Sequence, residues 1–174
     1  LSLGDVDNDG DLDLVASGDN GGAVGRLDKY LNDGTGSFSG PTPFGTGVRR
    51  SAGALGDIDG DGDLDFVVAG QAVSPTRRLD RYRNDGGGNF STNGSLFGIG
   101  LREGALSLAD LDGDGDPDLI VSGNDAGAAR RLHRYANDGG GTFAGPTAFG
   151  TPVDFGSISV GDIDADRDLD VIVT

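Results

Sequence analysis

Four copies of one aspartate pattern, at nearly constant spacing, constrain this chain more than any other feature. They read DVDNDGDLD (5–13), DIDGDGDLD (57–65), DLDGDGDPD (110–118) and DIDADRDLD (162–170). Their first aspartates are separated by 52, 53 and 52 residues. Other landmarks keep the period: Tyr30, Tyr82 and Tyr135; Asn-Asp-Gly at 32–34, 84–86 and 137–139; Phe38, Phe90 and Phe143; and Phe-Gly at 44–45, 97–98 and 149–150. Such a chain is a tandem array, in which no unit buries its faces alone and each leans on its neighbours. Residues 1–174 read as one array, with repeats at about 1–52, 53–105 and 106–157 and a partial repeat at 158–174.

One period reads as four short strands. An apolar segment such as GALG (53–56) leads into the acidic loop, and LDFVVAG (64–70) follows, a nearly continuous apolar run that suits a strand buried on both faces. RRLDRYR (77–83) reads as a third strand, entering an Asn-Asp-Gly turn whose residues tolerate positive φ. A weaker fourth strand is expected from Phe90 to Phe97. No 3.6-residue apolar period is sustained anywhere, so no helix is predicted. The fold class is all-β: tandem four-stranded antiparallel repeats, which is the arithmetic of β-propeller blades, with an open filament of β-repeats as the alternative.

Of the 29 acidic residues only Glu103 is Glu, and twenty of the aspartates fall in the four clusters. The net charge of −16 is therefore local, unlike the spread acidity of a halophilic surface, and it disfavours nucleic acid as a partner. The 34 glycines, without a Gly-X-Y period, indicate many tight turns. No apolar run approaches the ~20 residues of a membrane span. The chain starts with Leu, which suggests a processed or trimmed N-terminus, and the absence of Cys fits a bacterial exported protein.

The pattern D-x-D-x-D-G-x-x-D turns alternate side chains of a curling loop toward one centre. Hard carboxylate oxygens suit Ca²⁺, which takes six to eight oxygen ligands at ~2.3–2.6 Å. Side chains would come from position 1 (Asp5, Asp57, Asp110, Asp162), position 3 (Asp7, Asp59, Asp112, Asp164), position 5 (Asp9, Asp61, Asp114, Asp166) and position 9 (Asp13, Asp65, Asp118, Asp170). Position 7 (Asp11, Asp63, Asp116, Asp168) would give its carbonyl, and glycine at position 6 allows the sharp turn. About one calcium ion per loop, up to four, would halve the formal charge. Magnesium demands a tighter octahedron, and zinc would want His or Cys, of which there are one and none. An EF-hand needs Glu at position 12, where this chain has Ala16, Val68, Val121 and Val173. The plain alternative is a solvated acidic turn, which the periodicity of the set argues against. In the fourth loop Arg167 replaces the turn glycine and Ala165 sits at position 4, so a site that is weaker or altered in geometry is expected there.

These motifs, together with YLNDGTGSF (30–38) and the Phe-Gly steps, resemble the FG-GAP/VCBS repeat of integrin-α-like β-propellers over essentially the whole chain. The steps lead into TGV and TPV rather than Gly-Ala-Pro, which is closer to the bacterial VCBS type. The resemblance implies a calcium-stabilised propeller of a secreted or cell-surface protein, serving adhesion or sugar binding, or attached to a polysaccharide-degrading enzyme. Three and a half repeats do not close a propeller, so the partners expected are further repeats of a longer chain or copies of this one, besides a glycan or protein ligand.

Other features read as structural. Tyr30, Tyr82 and Tyr135 suit packing between units more than sugar stacking. The pairs Arg49-Arg50, Arg77-Arg78 and Arg130-Arg131 suit balancing nearby aspartates more than binding an anionic glycan, with Arg78 and Arg131 at equivalent positions, as is Arg26. His133 stands where Asp28 and Asp80 stand in the sister repeats and reads as surface variation. Asn89-Phe90-Ser91 and Asn93-Gly94-Ser95 are glycosylation sequons. No nucleophile–base pair or phosphate loop stands out, so the expected role is a non-catalytic scaffold, the alternatives being a lectin-like module or an accessory part of a carbohydrate-active enzyme.

Overall fold

The computed structural model describes residues 1–22, 24–72, 76–95, 99–153 and 156–174, with the backbone alone at 92–95. Strands account for its regular structure, with no helix among the described residues: β1 Ser2–Gly4, β2 Asp13–Asp19, β3 Gly25–Asn32, β4 Phe38–Gly56, β5 Asp65–Gln71, β6 Arg77–Arg83, β7 Ser91–Ser95, β8 Leu106–Ala109, β9 Asp118–Asn124, β10 Arg130–Asn137, β11 Phe143–Ala148, β12 Ile158–Gly161 and β13 Asp170–Val173. All neighbours pair antiparallel in chain order, four strands to a propeller blade. β1 to the first part of β4 form blade 1, the rest of β4 to β7 blade 2, β8 to β11 blade 3, and β12–β13 the inner pair of a fourth. The inner strands of successive blades lie side by side: β1 against β4, β4 against β8, β8 against β12.

The 19-residue β4 departs from the sequence expectation of a short strand at 53–56. Its first part pairs with β3 as far as Val48, and its second pairs with β5 from Arg49 onward. The exchange happens at Arg50, which sits at φ 48°, where the ladder shifts register. One left-handed residue turns the corner, so no Pro- or Gly-rich linker marks it in the sequence. Glu103 repeats the corner at φ 56° between blades 2 and 3, and its carboxylate is ion-paired with Arg50. The expected fourth strand of repeat 2 is shorter, at 91–95; Phe97-Gly98 lie outside the described residues.

The core lies between blades. Strands β5 and β9 are buried at every residue, as their continuous apolar runs require. Phe66, Val68 and Tyr82 of blade 2 pack on Val6, Val15, Leu27 and Val48 of blade 1. From the other face of blade 2, Ile58, Val67, Ala69 and Leu79 pack on Leu119, Val121 and Tyr135 of blade 3. Each such side chain contributes roughly 1.5–3 kcal/mol by leaving water. The Phe44 ring meets Tyr82 edge-on at 5.4 Å and stacks on Phe90 at 4.7 Å, and the Thr46 N–H donates to the Tyr82 hydroxyl at 2.9 Å. Tyr82 and Tyr135 are thus joint residues, as their period suggested, and burial pushes the Tyr135 hydroxyl up to about 12.

Three arginines at equivalent positions pair with aspartates as expected: Arg26 with Asp28 at 2.6 Å, Arg78 with Asp80, and Arg131 with Asp125 at 2.6 Å; Arg50 pairs instead with Glu103, and Arg77 donates to the Asn124 carbonyl at 2.9 Å. The reading of His133 as surface variation is corrected. It is 5 % exposed, edge-on to Tyr135, with Nδ1 lacking a hydrogen-bond partner among the described residues. His cannot take the arginine as Asp28 and Asp80 do, so Arg131 turns to Asp125. Asn89 is exposed with its amide on Asp85 at 3.0 Å, whereas the Asn93 side chain lies outside the described residues.

Candidate metal sites in the acidic loops

Each loop is wound around its first aspartate. Asp5 accepts the N–H groups of Asp9 and Gly10 at 3.1 and 3.0 Å; Asp57 accepts those of Gly60 and Gly62 at 2.9 and 3.0 Å. Asp110 accepts Gly113 and Gly115 at 2.8 and 2.9 Å, and Asp162 accepts Arg167 at 3.0 Å. These bonds require positive φ at two places. Position 4 has it at Asn8, Gly60, Gly113 and Ala165, and position 6 at Gly10, Gly62, Gly115 and Arg167. The fourth loop therefore keeps the shape of the others while holding Ala165 at φ 66° and Arg167 at φ 81°. Asn and Gly at position 4 are the sequence signal of the first of these demands, beside the glycine of position 6.

The last aspartate ties each loop to the blade. Asp13, Asp65 and Asp118 are fully buried. Asp13 accepts the N–H of Val6 at 3.0 Å and of Asn32 at 2.8 Å; Asp118 accepts those of Leu111 at 3.1 Å and Asn137 at 2.9 Å. The position 7 aspartates lean toward the following hairpin instead. A Cβ on Gly34 would lie 2.5 Å from Asp11 Oδ2, and one on Gly86 2.7 Å from Asp63 Oδ2, which is why Gly follows Asn-Asp there.

Carboxylate oxygens gather within 4.8 Å of one another in all four loops: Asp5, Asp7 and Asp13; Asp57, Asp59 and Asp61; Asp110, Asp112 and Asp114; Asp162, Asp164 and Asp170. Positions 1 and 3 thus always meet, joined by position 9 in the outer loops and by position 5 in the middle two. Asp9 and Asp166 stand outside these groups, as do Asp65 and Asp118. Burial raises the Asp7 carboxyl, helped by Asp13 and Asp9, and raises Asp59 against the opposing pull of Arg83. Burial pushes Asp65 up to about 6, against the lowering effect of the Asn84 N–H.

Three of these oxygens test whether a cation fits. Asp7 Oδ1, Asp59 Oδ1 and Asp65 Oδ2 are buried with no hydrogen-bond partner among the described residues. A buried carboxylate oxygen without a donor costs several kcal/mol unless a positive charge faces it. Hard oxygen donors in this density match a calcium-sized divalent ion. In the middle loops an arginine stands near: Arg83 pairs with Asp59 and, at 3.3 Å, Asp61, and Arg134 with Asp112 and, at 2.7 Å, Asp118.

The sequence reading missed the residues that join one loop to the next. Asn84 Nδ2 donates to the Val6 carbonyl at 2.7 Å, and Asn137 Nδ2 to the Ile58 carbonyl at 2.8 Å. Each clamps position 2 of the preceding blade's loop, while its N–H holds position 9 of its own. Asn8 Nδ2 adds a bond to Asp63 at 2.7 Å. Its signal in the sequence is the periodic Asn before Asp-Gly, which turn chemistry alone does not explain.

The model of the FG-GAP-like repeat matches residues 5–68 and 110–173, each match starting on the first aspartate of one loop and taking in the next. A search of the curated proteins finds no match.

Proposed function

The chain belongs to the FG-GAP-like repeat family, and on that premise we propose that it is a calcium-stabilised extracellular scaffold of β-propeller blades, acting in adhesion, surface structure or filament assembly rather than in catalysis. The carrying observation is the set of buried oxygens with no hydrogen-bond partner among the described residues, on Asp7 of the first loop and on Asp59 and Asp65 of the second. Position 1 shapes the loop and meets position 3 at its centre, joined by position 9 in the outer loops and by position 5 in the middle two; position 7 would offer its carbonyl, and position 9 also fixes the loop to the strand that follows. Bound calcium would bring positive charge to the Asp7 and Asp65 oxygens and add to that of Arg83, which already pairs with Asp59.

The extracellular part of the reading follows from concentration. Millimolar calcium loads sites with a Kd of ~10⁻⁴–10⁻³ M, as extracellular modules have, whereas cytosolic calcium does not. At tenfold excess over Kd, one site stabilises the folded state by about 1.4 kcal/mol. Three or four sites together give about 4–6 kcal/mol, or a melting point higher by about 8–24 °C for a chain of this size. Calorimetry of the whole chain in millimolar calcium and in EDTA tests this. A melt that EDTA leaves unchanged removes calcium from the proposal.

A further inference from the structure

One position of the repeat carries a charge that its sisters lack. Leu31, Arg83 and Ala136 stand between the periodic tyrosine and the periodic Asn-Asp-Gly. Leu31 packs against the core between blades 1 and 2. Arg83 reaches instead for the acidic loop of its own blade, where its guanidinium pairs with Asp59 Oδ2 and stands 3.3 Å from Asp61 Oδ2. Asp59 and Asp61 are two of the three carboxylates, with Asp57, whose oxygens gather in that loop.

Buried oxygens mark the place as more than an acidic turn. The Asp59 side chain is 3 % exposed, and its Oδ1 has no hydrogen-bond partner among the described residues. Asp65 is fully buried, and the same holds for its Oδ2. The other cations of these joints do not tell loop 2 from loop 1. Arg81 donates across the joint to the Gly141 carbonyl, as its counterpart Lys29 does to that of Gly88. Loop 3 is a different case: Arg134, from the place of Arg81, pairs with Asp112 and, at 2.7 Å, with Asp118.

We propose that Arg83 is a resident counter-ion that sets the calcium affinity of loop 2 below that of loop 1. The inference rests on the calcium reading and adds an order of filling to it. A guanidinium on Asp59 and Asp61 neutralises part of the charge that draws in a divalent cation, and it repels the cation once it is there. Loop 1, with Leu31 at that place, brings no such charge from there to Asp7. A hydrogen bond to a charged group corresponds to about tenfold or more in an equilibrium constant, and the 41 % exposure of Arg83 screens it, so about three- to tenfold is expected. Without calcium the same arginine offsets the repulsion among the loop 2 carboxylates.

Amide NMR of the whole chain during a calcium titration is the test. It reads the loops separately, because the N–H groups of Gly10, Gly62 and Gly115 are each bonded within one loop, to Asp5, Asp57 and Asp110. In the wild type the Gly10 signal should reach its midpoint at about three- to tenfold less calcium than the Gly62 signal. Arg83→Leu installs the residue that repeat 1 carries, and it should lower the Gly62 midpoint by that factor while Gly10 and Gly115 stay within about twofold. Arg83→Gln keeps a polar side chain without the charge and should do the same, so the result does not hang on one variant folding. A wild-type Gly62 midpoint at or below that of Gly10 overturns the proposal. So does a Gly62 midpoint that a folded variant fails to lower, or one that falls together with Gly10 and Gly115, which is a general effect of charge. Failure of the calcium reading looks different: no loop glycine responds to calcium in the wild type, and EDTA leaves the melt unchanged.

Discussion

Replacing Asn84 by Ala should cost far more stability than the same change at Asn32, although both stand in the same Asn-Asp-Gly motif. Asn84 is buried; its Nδ2 donates to Val6 O at 2.7 Å and Leu64 O at 3.2 Å, and its Oδ1 accepts the Asp85 N–H at 2.9 Å. Alanine leaves the buried Val6 carbonyl without a donor, at ~1–3 kcal/mol, and removes the part-buried bonds to the Leu64 carbonyl and from the Asp85 N–H, at roughly 0.5 kcal/mol each. The expected loss is about 2–4 kcal/mol. Among the described residues the Asn32 side chain donates only to the exposed Leu12 carbonyl, at 3.2 Å, a bond worth about 0.5 kcal/mol. At ~2–4 °C per kcal/mol for a chain of this length, Asn84→Ala should melt about 5–10 °C below Asn32→Ala. Calorimetry with calcium at saturation, so that site occupancy is constant, reads the difference, and Asn137→Ala should follow Asn84→Ala. Equal losses at the two positions would refute the idea that the Asn clamp works across the joint.

Three further outcomes are expected. Asp61→Ala should remove about 1.4 kcal/mol of calcium-dependent stabilisation and Asp166→Ala less, since Asp61 belongs to its cluster and Asp166 does not; melting with and without calcium checks the order, and the reverse order contradicts the assignment. Arg167→Gly should relieve about 1–2 kcal/mol of left-handed strain against an entropic cost of about 0.5–1 kcal/mol, so its urea midpoint should rise slightly; a lower midpoint would show that the arginine side chain stabilises the loop. His133 is held below the ordinary histidine range by burial first and Arg131 second. The unfolded chain then takes up a proton that the folded one refuses, so stability is lost as pH falls below ~6.5. The gap in melting point between wild type and His133→Gln, followed from about pH 7.5 to about pH 5.5, should narrow or reverse in favour of Gln as pH falls; a gap that does not change denies the linkage.

The repeat made most of the architecture legible, because a 52-residue period with one apolar run, one tyrosine strand and one Asn-Asp-Gly turn leaves little besides a four-stranded unit. Burial of β5 and β9 on both faces was visible in Val67-Val68 and Ile120-Val121. The continuity of β4 was not, since a strand that changes partner at Arg50 carries no breaker residue. In the acidic loops residue types identified the carboxylates, but the division of labour among them depends on where N–H groups point. Asp5 and Asp13 look alike in sequence, yet one winds a loop and the other is fixed under it. His133 misled because its sister positions are aspartates, and a charge that is paired by arginine can be buried where a run of letters suggests surface.

Since the apolar cores lie between blades and not within them, this chain can lengthen by whole periods without redesign. A duplicated unit arrives with one face that already fits its predecessor and another that already fits its successor, and it brings its own loop and one more core. Point changes are less free: a residue enlarged at Gly56 must be answered in the next repeat at Leu108. Variation in such a lineage should therefore travel in pairs one period apart, while copy number changes cheaply.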